Sequence, residues 1–152
     1  MNKLIVTIDR EDYASGLTGS FSGEWYSGFG KAWFNNSDVI QFCTYVQNLA
    51  ESMDGAAELI GSVRKADGSE YLETFSLRCY VLSASKLNGI IGVHVTLADR
   101  SGGSDSREQE IFKMSGELQV RNHKLAEFSQ NLKGLVNGSQ NQVILNGDIN
   151  GI

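Results

Sequence analysis

Two histidines, His94 and His123, and two cysteines, Cys43 and Cys79, are the side chains of this sequence best suited to nucleophilic, proton-transfer or soft-metal chemistry near neutral pH. They are scattered, with no CxxC, HxxxH or DxD spacing, so a histidine-based metal site would need carboxylates to complete it. Cys43 falls on an apolar helical stripe, where a thiol lacks the exposure and the positive neighbour that reactivity requires. Both cysteines therefore read as reduced core residues. His94 alternates with Thr96 on the side of a strand opposite Val93 and Val95, and His123 opens a helix beside Lys124; both positions suit solvated side chains. There is no GxSxG elbow, P-loop or GxGxxG, and SGGS at 101–104 lacks the helix and lysine of a phosphate cradle. Composition alone leaves a spatially assembled Ser/His/Asp triad open. Glu24 beside Trp25 would serve glycoside hydrolysis only with a second carboxylate at a defined separation. No catalytic residue, metal or cofactor is expected.

The run EWYSGFGKAWFNNSD (24–38) admits two readings. Trp25, Tyr26 and Trp33 around Glu24 would line a pocket for a sugar or another small molecule. Alternatively, the run is a hairpin turning at Ser27-Gly28 and leading into a helix, with Trp33 and Phe34 packed beneath that helix. On a strand Phe21 and Trp25 would share a face. The architectural reading is favoured, because proline is absent and seventeen glycines must make the turns with Asn, Asp and Ser.

The elements that would position these residues are legible from their periods. LIVTI (4–8) is a strand rich in β-branched residues. From Asp38 to Met53, Val39, Phe42, Cys43, Val46, Leu49, Ala50 and Met53 recur at helical spacing, with Asn36 or Ser37 as cap and Gly55 as stop. The period then becomes two. Ala57, Leu59 and Val63 alternate in one strand, Phe75, Leu77, Cys79 and Val81 in the next, and Ile91, Val93, Val95 and Leu97 in a third. Phe112, Met114, Leu118 and Val120 mark a fourth. Asp67-Gly68 and Asn88-Gly89 supply turns, and DRSGGSDSRE (99–108) reads as a mobile loop. Leu125, Phe128, Leu132, Leu135 and Val136 form a second amphipathic helix between a cap at Asn122 and a stop at Gly138.

The expected fold is α+β: a largely antiparallel meander sheet of about 6–8 strands with two amphipathic helices packed on it. Residues 1–152 read as a single domain, with 139–152 an edge strand and frayed tail. No linker, repeat or low-complexity segment divides it. One face of the sheet would present Glu58, Arg64, Arg78, Tyr80, His94, Lys113, Glu117 and Gln119 to solvent. Glu11 and Asp12, with Asp9, form an acidic turn after the first strand.

Thirteen basic against eighteen acidic side chains give a net charge of −5, which argues against nucleic acid and suits a basic protein partner. No apolar run approaches the roughly 18 residues of a membrane span. The apolar run Leu4–Ile8 is too short for a secretory h-region of about 7–15 residues. A cytosolic protein is expected.

The order of these elements resembles a known family. WFNNSDVIQF (33–42) fits the pattern W-[FL]-x-x-x-[DE]-[VL]-x-x-F, followed by GAAEL (55–59), FSLRCYVL (75–82), GIIGVHVTLAD (89–99) and LAEFSQNL (125–132). Over about residues 15–137 this is similar to the WapI-type immunity proteins, cytosolic partners of wall-associated or contact-dependent toxins. The resemblance implies a non-enzymatic protein that binds the cognate toxin's C-terminal domain and occludes its active site. A basic nuclease would suit the negative charge. Arg78, Tyr80 and His94 on the polar sheet face, with Glu11 and Asp12, are the candidate partner-binding residues. The competing readings are the Trp25/Tyr26/Trp33 binding module and a structural subunit of a larger assembly.

Overall fold

The computed structural model describes residues 2–64, 67, 71–99, 109 and 111–147. In order they form β1 (Lys3–Arg10), β2 (Ala14–Ser22), β3 (Ser27–Asn35), α1 (Asn36–Ser52), β4 (Ala56–Arg64), β5 (Tyr71–Val81), β6 (Ile90–Asp99), β7 (Phe112–Arg121), α2 (Asn122–Asn137) and β8 (Gln142–Asn146). A 3-10 turn over Ser83–Asn88 precedes β6. The chain is thus α+β, with the expected order of elements and a strand after the second helix.

The sheet departs from expectation. The strands form two four-stranded antiparallel sheets, β3-β2-β1-β8 and β4-β5-β6-β7, rather than one meander. The cause is local: β3 runs without a break into α1, which carries the chain away before β4 can pair beside it. The C-terminal strand then returns to β1, with Leu4 opposite Leu145 and Val6 opposite Val143.

A repeat unseen in the sequence emerges from this topology. Each half is a four-stranded antiparallel sheet whose last strand feeds directly into a helix: β8-β1-β2-β3 then α1, with β8 supplied from the far end of the chain, and β4-β5-β6-β7 then α2. The helices match residue for residue at a spacing of 86, Val39 with Leu125, Phe42 with Phe128, Val46 with Leu132 and Leu49 with Leu135, all buried. Their first turns are tied down alike. The Asn36 N–H donates to Tyr13 O at 2.9 Å, and the Asn122 N–H donates to Gly89 O at 2.7 Å. Few residues other than apolar ones match, so no sequence period marks the duplication.

Both helix starts lie one residue earlier than the expected caps. Asn35 and Arg121 are the N-caps, neither with a side-chain capping bond. Met53, left-handed at φ 54°, ends α1 ahead of Gly55, whereas Gly138 ends α2 as expected. Arg10 completes that second terminus, its Nε donating to Leu135 O at 2.8 Å and its guanidinium also reaching Gln140 O. A cation there satisfies orphan carbonyls at the negative end of the helix. Between the helices, Gln47 Nε2 donates to Ala126 O at 3.0 Å and Ser129 Oγ at 2.7 Å.

One core joins both sheets and both helices. The glycines of the opening stretch shape it. β3 touches β4, β5, β6 and β7 in turn, so it crosses the second sheet rather than extending it. Gly28 faces Met114, Gly30 faces the backbone of Thr74 and Ala98, and Ala32 faces Gly61. A Cβ on Gly30 would stand 1.9 Å from Thr74 O, so only glycine allows the strand to lie this close. Phe34 then closes on Phe75 edge-to-face at 5.9 Å.

Several expectations change accordingly. The hairpin turns over residues 23–26, closed by Gly23 N–H to Tyr26 O at 2.8 Å; Ser27 and Gly28 already belong to β3. Trp25 sits in that turn, 82% exposed, and shares no strand face with Phe21. Trp33 does not pack beneath α1: it is 49% exposed on the outer face of the first sheet, because strand alternation gives the core side to Phe34. Phe112 is exposed at the start of β7, whereas Leu118 and Val120 are buried as expected. Gly68 and the loop residues 100–108 lie outside the described residues.

Candidate partner-binding face

The second sheet buries one side under the core and leaves the other uncovered by either helix. Pairing registers place Glu58 of β4 opposite Arg78 of β5, Arg78 opposite His94 of β6, and His94 opposite Glu117 of β7. Four strands thus contribute one polar row in which Arg78 and His94 lie between the carboxylates Glu58 and Glu117, because residues opposed in register share a face. Tyr80, Gly92 and Gln119 form the adjacent row.

Arg78 is the best-anchored member. Its Nη2 and Nη1 donate to the two carboxylate oxygens of Glu73 at 2.6 and 3.1 Å, a bidentate fork, while its Nε lies 3.8 Å from Glu58 Oε2. The hydrogen bonds from Arg78 hold the Glu73 carboxyl below its ordinary value, against a smaller opposing effect of burial. Tyr80 donates to Glu117 Oε1 at 2.5 Å, and Gln119 Nε2 donates to Glu117 Oε2 at 3.3 Å. Burial, and then the bond to Glu117, push the Tyr80 phenol upward, so it remains a protonated donor. Its ring lies down over Gly92, where a Cβ would come within 2.5 Å of Tyr80 Cε1. The first sheet repeats this device on its own outer face, where the Trp33 ring lies over Gly16 with Lys31 Nζ 5.1 Å from the ring centre.

The structure therefore gathers Arg78, Tyr80 and His94, as the alternation of β5 and β6 implies. It sets Glu11 and Asp12 apart from them. Those two occupy the exposed turn between β1 and β2, where Glu11 N–H donates to Ala14 O at 2.9 Å and Asn36 Nδ2 donates to Asp12 O at 3.4 Å. The turn's backbone thereby ties down the start of α1. Neither shares a hydrogen bond or ion pair with Arg78, Tyr80 or His94.

Glu73 is the residue that sequence reading misses. Simple alternation puts it on the core side with Phe75 and Leu77. A bulge intervenes: Gly61 pairs with Phe75 but Ser62 pairs with Glu73, so the intervening Thr74 is the extra residue and Glu73 returns to the outer face. A carboxylate in phase with a buried phenylalanine was the available signal.

The pocket reading of the aromatic run fails on geometry. Glu24, Trp25 and Tyr26 sit in the β2–β3 turn, whereas Trp33 lies six residues beyond Ser27, about 20 Å along an extended strand. Both cysteines are buried and free, and burial pushes each thiol up to about 12, where it stays protonated and inert. Among the described residues, no three His, Cys, Asp or Glu side chains stand together as a metal site, and no helix is long and apolar enough to cross a membrane. Compared with family models, curated proteins and solved structures, the chain matches none.

Proposed function

We propose that this chain is a non-enzymatic immunity protein that neutralises a cognate toxin domain by binding it, with the outer face of β4–β7 as the docking surface. One observation carries the reading: the row Glu58, Arg78, His94 and Glu117 is aligned across four strands on a face that neither helix covers, and Glu73 holds its arginine in a bidentate fork. Arginine and tyrosine are the residues that most often dominate interfaces, and here both are held in place before any partner arrives. Three carboxylates, Glu58, Glu73 and Glu117, surround them, which favours a partner with a basic surface such as a nuclease domain. The inert cysteines agree with a role in binding rather than thiol chemistry.

The test is co-expression with the toxin domain encoded immediately upstream. Cell survival and a co-purifying complex are expected. Arg78→Ala and Tyr80→Ala should each weaken that complex by about 2 kcal/mol or more, the threshold for an interface anchor. Killing by the toxin with no complex recovered would overturn the proposal.

A further inference from the structure

The internal repeat creates two equivalent grooves, each between a helix and the free edge of the strand that follows it. One runs between α1 and β4, with Phe42 and Leu59 at its base; the other lies between α2 and β8, with Phe128 and Leu145 in the same places. β4 and β8 are edge strands of their sheets, with no strand partner on the outer side among the described residues. Native proteins usually blunt such an edge with proline, lysine or a covering segment. β4 carries neither proline nor lysine, and the Thr74 bulge of β5 shifts the register only beyond Gly61, so the stretch from Ala56 to Ile60 remains regular.

The rims decide what each groove would take. At the first, Asp38 on the helix faces Glu58 on the strand, with Tyr45 and Ile60, both half-exposed, between polar neighbours. At the second, Lys124 and Ile144 stand where Asp38 and Glu58 stand in the first. The first groove therefore carries a carboxylate and no cation on each wall, whereas the second has Lys124 offset by Glu127 on its helix wall and no charge on its strand wall.

We propose that the groove between α1 and β4 binds an extended peptide segment bearing lysine or arginine, added to β4 as a fifth strand of the second sheet. The backbone of the segment would take up the unpaired edge groups of Ala56–Ile60. Its basic side chains would meet Asp38 on the inner wall and Glu58 on the outer face. Glu58 also belongs to the row on the outer sheet face, whereas Asp38 and the β4 edge do not, so tests on Asp38 and on the peptide backbone separate this site from the toxin-binding proposal.

The probe is a fluorescein-labelled octapeptide of alternating lysine and valine, measured by anisotropy against the intact chain. Binding is expected, with slowed amide exchange over Ala56–Ile60. The peptide N-methylated at one alternate set of residues should bind about tenfold more weakly, because that set would have donated to the β4 edge. The variant Asp38→Lys, which places the second groove's cation on the helix wall at an exposed position away from the outer sheet face, should lose about tenfold in affinity, while its place in the first turn of α1 lowers the melting temperature by no more than about 4 °C. No binding by the lysine peptide would overturn the proposal. So would equal binding by both N-methylated forms, or equal binding by the Asp38→Lys variant, since simple charge attraction elsewhere would then account for it.

Discussion

Replacing Gly30 with alanine tests the crossing of the two sheets directly. The added methyl would lie 1.9 Å from Thr74 O, 2.8 Å from Ala98 N and 3.0 Å from Ala98 O. All three are backbone atoms of β5 and β6, so no rotamer change opens the space. To restore ordinary contact β3 must lift by about 1.5 Å, and a gap of even 0.5–1 Å forfeits about a quarter to a half of the dispersion energy along it. Ala32 and Phe34 on the same face would lose their neighbours together. The cost should reach the upper end of the overpacking range, about 3 kcal/mol. For a chain of this size that is a fall in melting temperature of about 6–12 °C. Gly116 in β7 is the control, since a Cβ there meets nothing within 4 Å. Gly116→Ala should stay within about 0.5 kcal/mol of the parent. Thermal and urea unfolding followed by circular dichroism give both values. Equal stability of the two variants would refute the close crossing of β3 over the second sheet.

Phe34→Ala should cost about 3–5 kcal/mol in urea unfolding, whereas Trp33→Ala, with half its surface already in water, should cost about 1–2 kcal/mol; the reverse order would contradict the assigned faces of β3. Neither Cys43 nor Cys79 should react with a thiol dye at pH 8 in the folded protein, and both should react in denaturant. Glu73 has a folded-state value below its ordinary 4.5, so its contribution to stability is present above that pH and fades as pH falls through the folded value. Arg78→Met should remove that contribution, under about 1 kcal/mol for so solvated a pair, and flatten the acid limb of a stability-versus-pH curve.

Much of this architecture is legible in the chain itself. The stripe from Val39 to Met53 and that from Leu125 to Val136 specify helices, and the alternation through Phe75–Val81 and Ile91–Leu97 specifies strands with one apolar side. The same alternation suffices to place Arg78, Tyr80 and His94 together. Such periods depend only on residues close in sequence, through the geometry that puts every second strand residue or every third and fourth helical residue on one side. The bulge at Thr74 breaks that rule and hides Glu73, the residue that fixes Arg78.

Local patterning thus specifies the kind and order of the elements and which side of each is apolar. Long-range packing sets the rest: β8 closes onto β1, β3 crosses a second sheet on Gly28 and Gly30, and Trp33 lies outside while Phe34 lies within. It also decided that α1–β4 and α2–β8 build the same groove with different rims. These outcomes rest on contacts between segments far apart in the chain. No local period encodes them: they follow from how two sheets and two helices bury a single core.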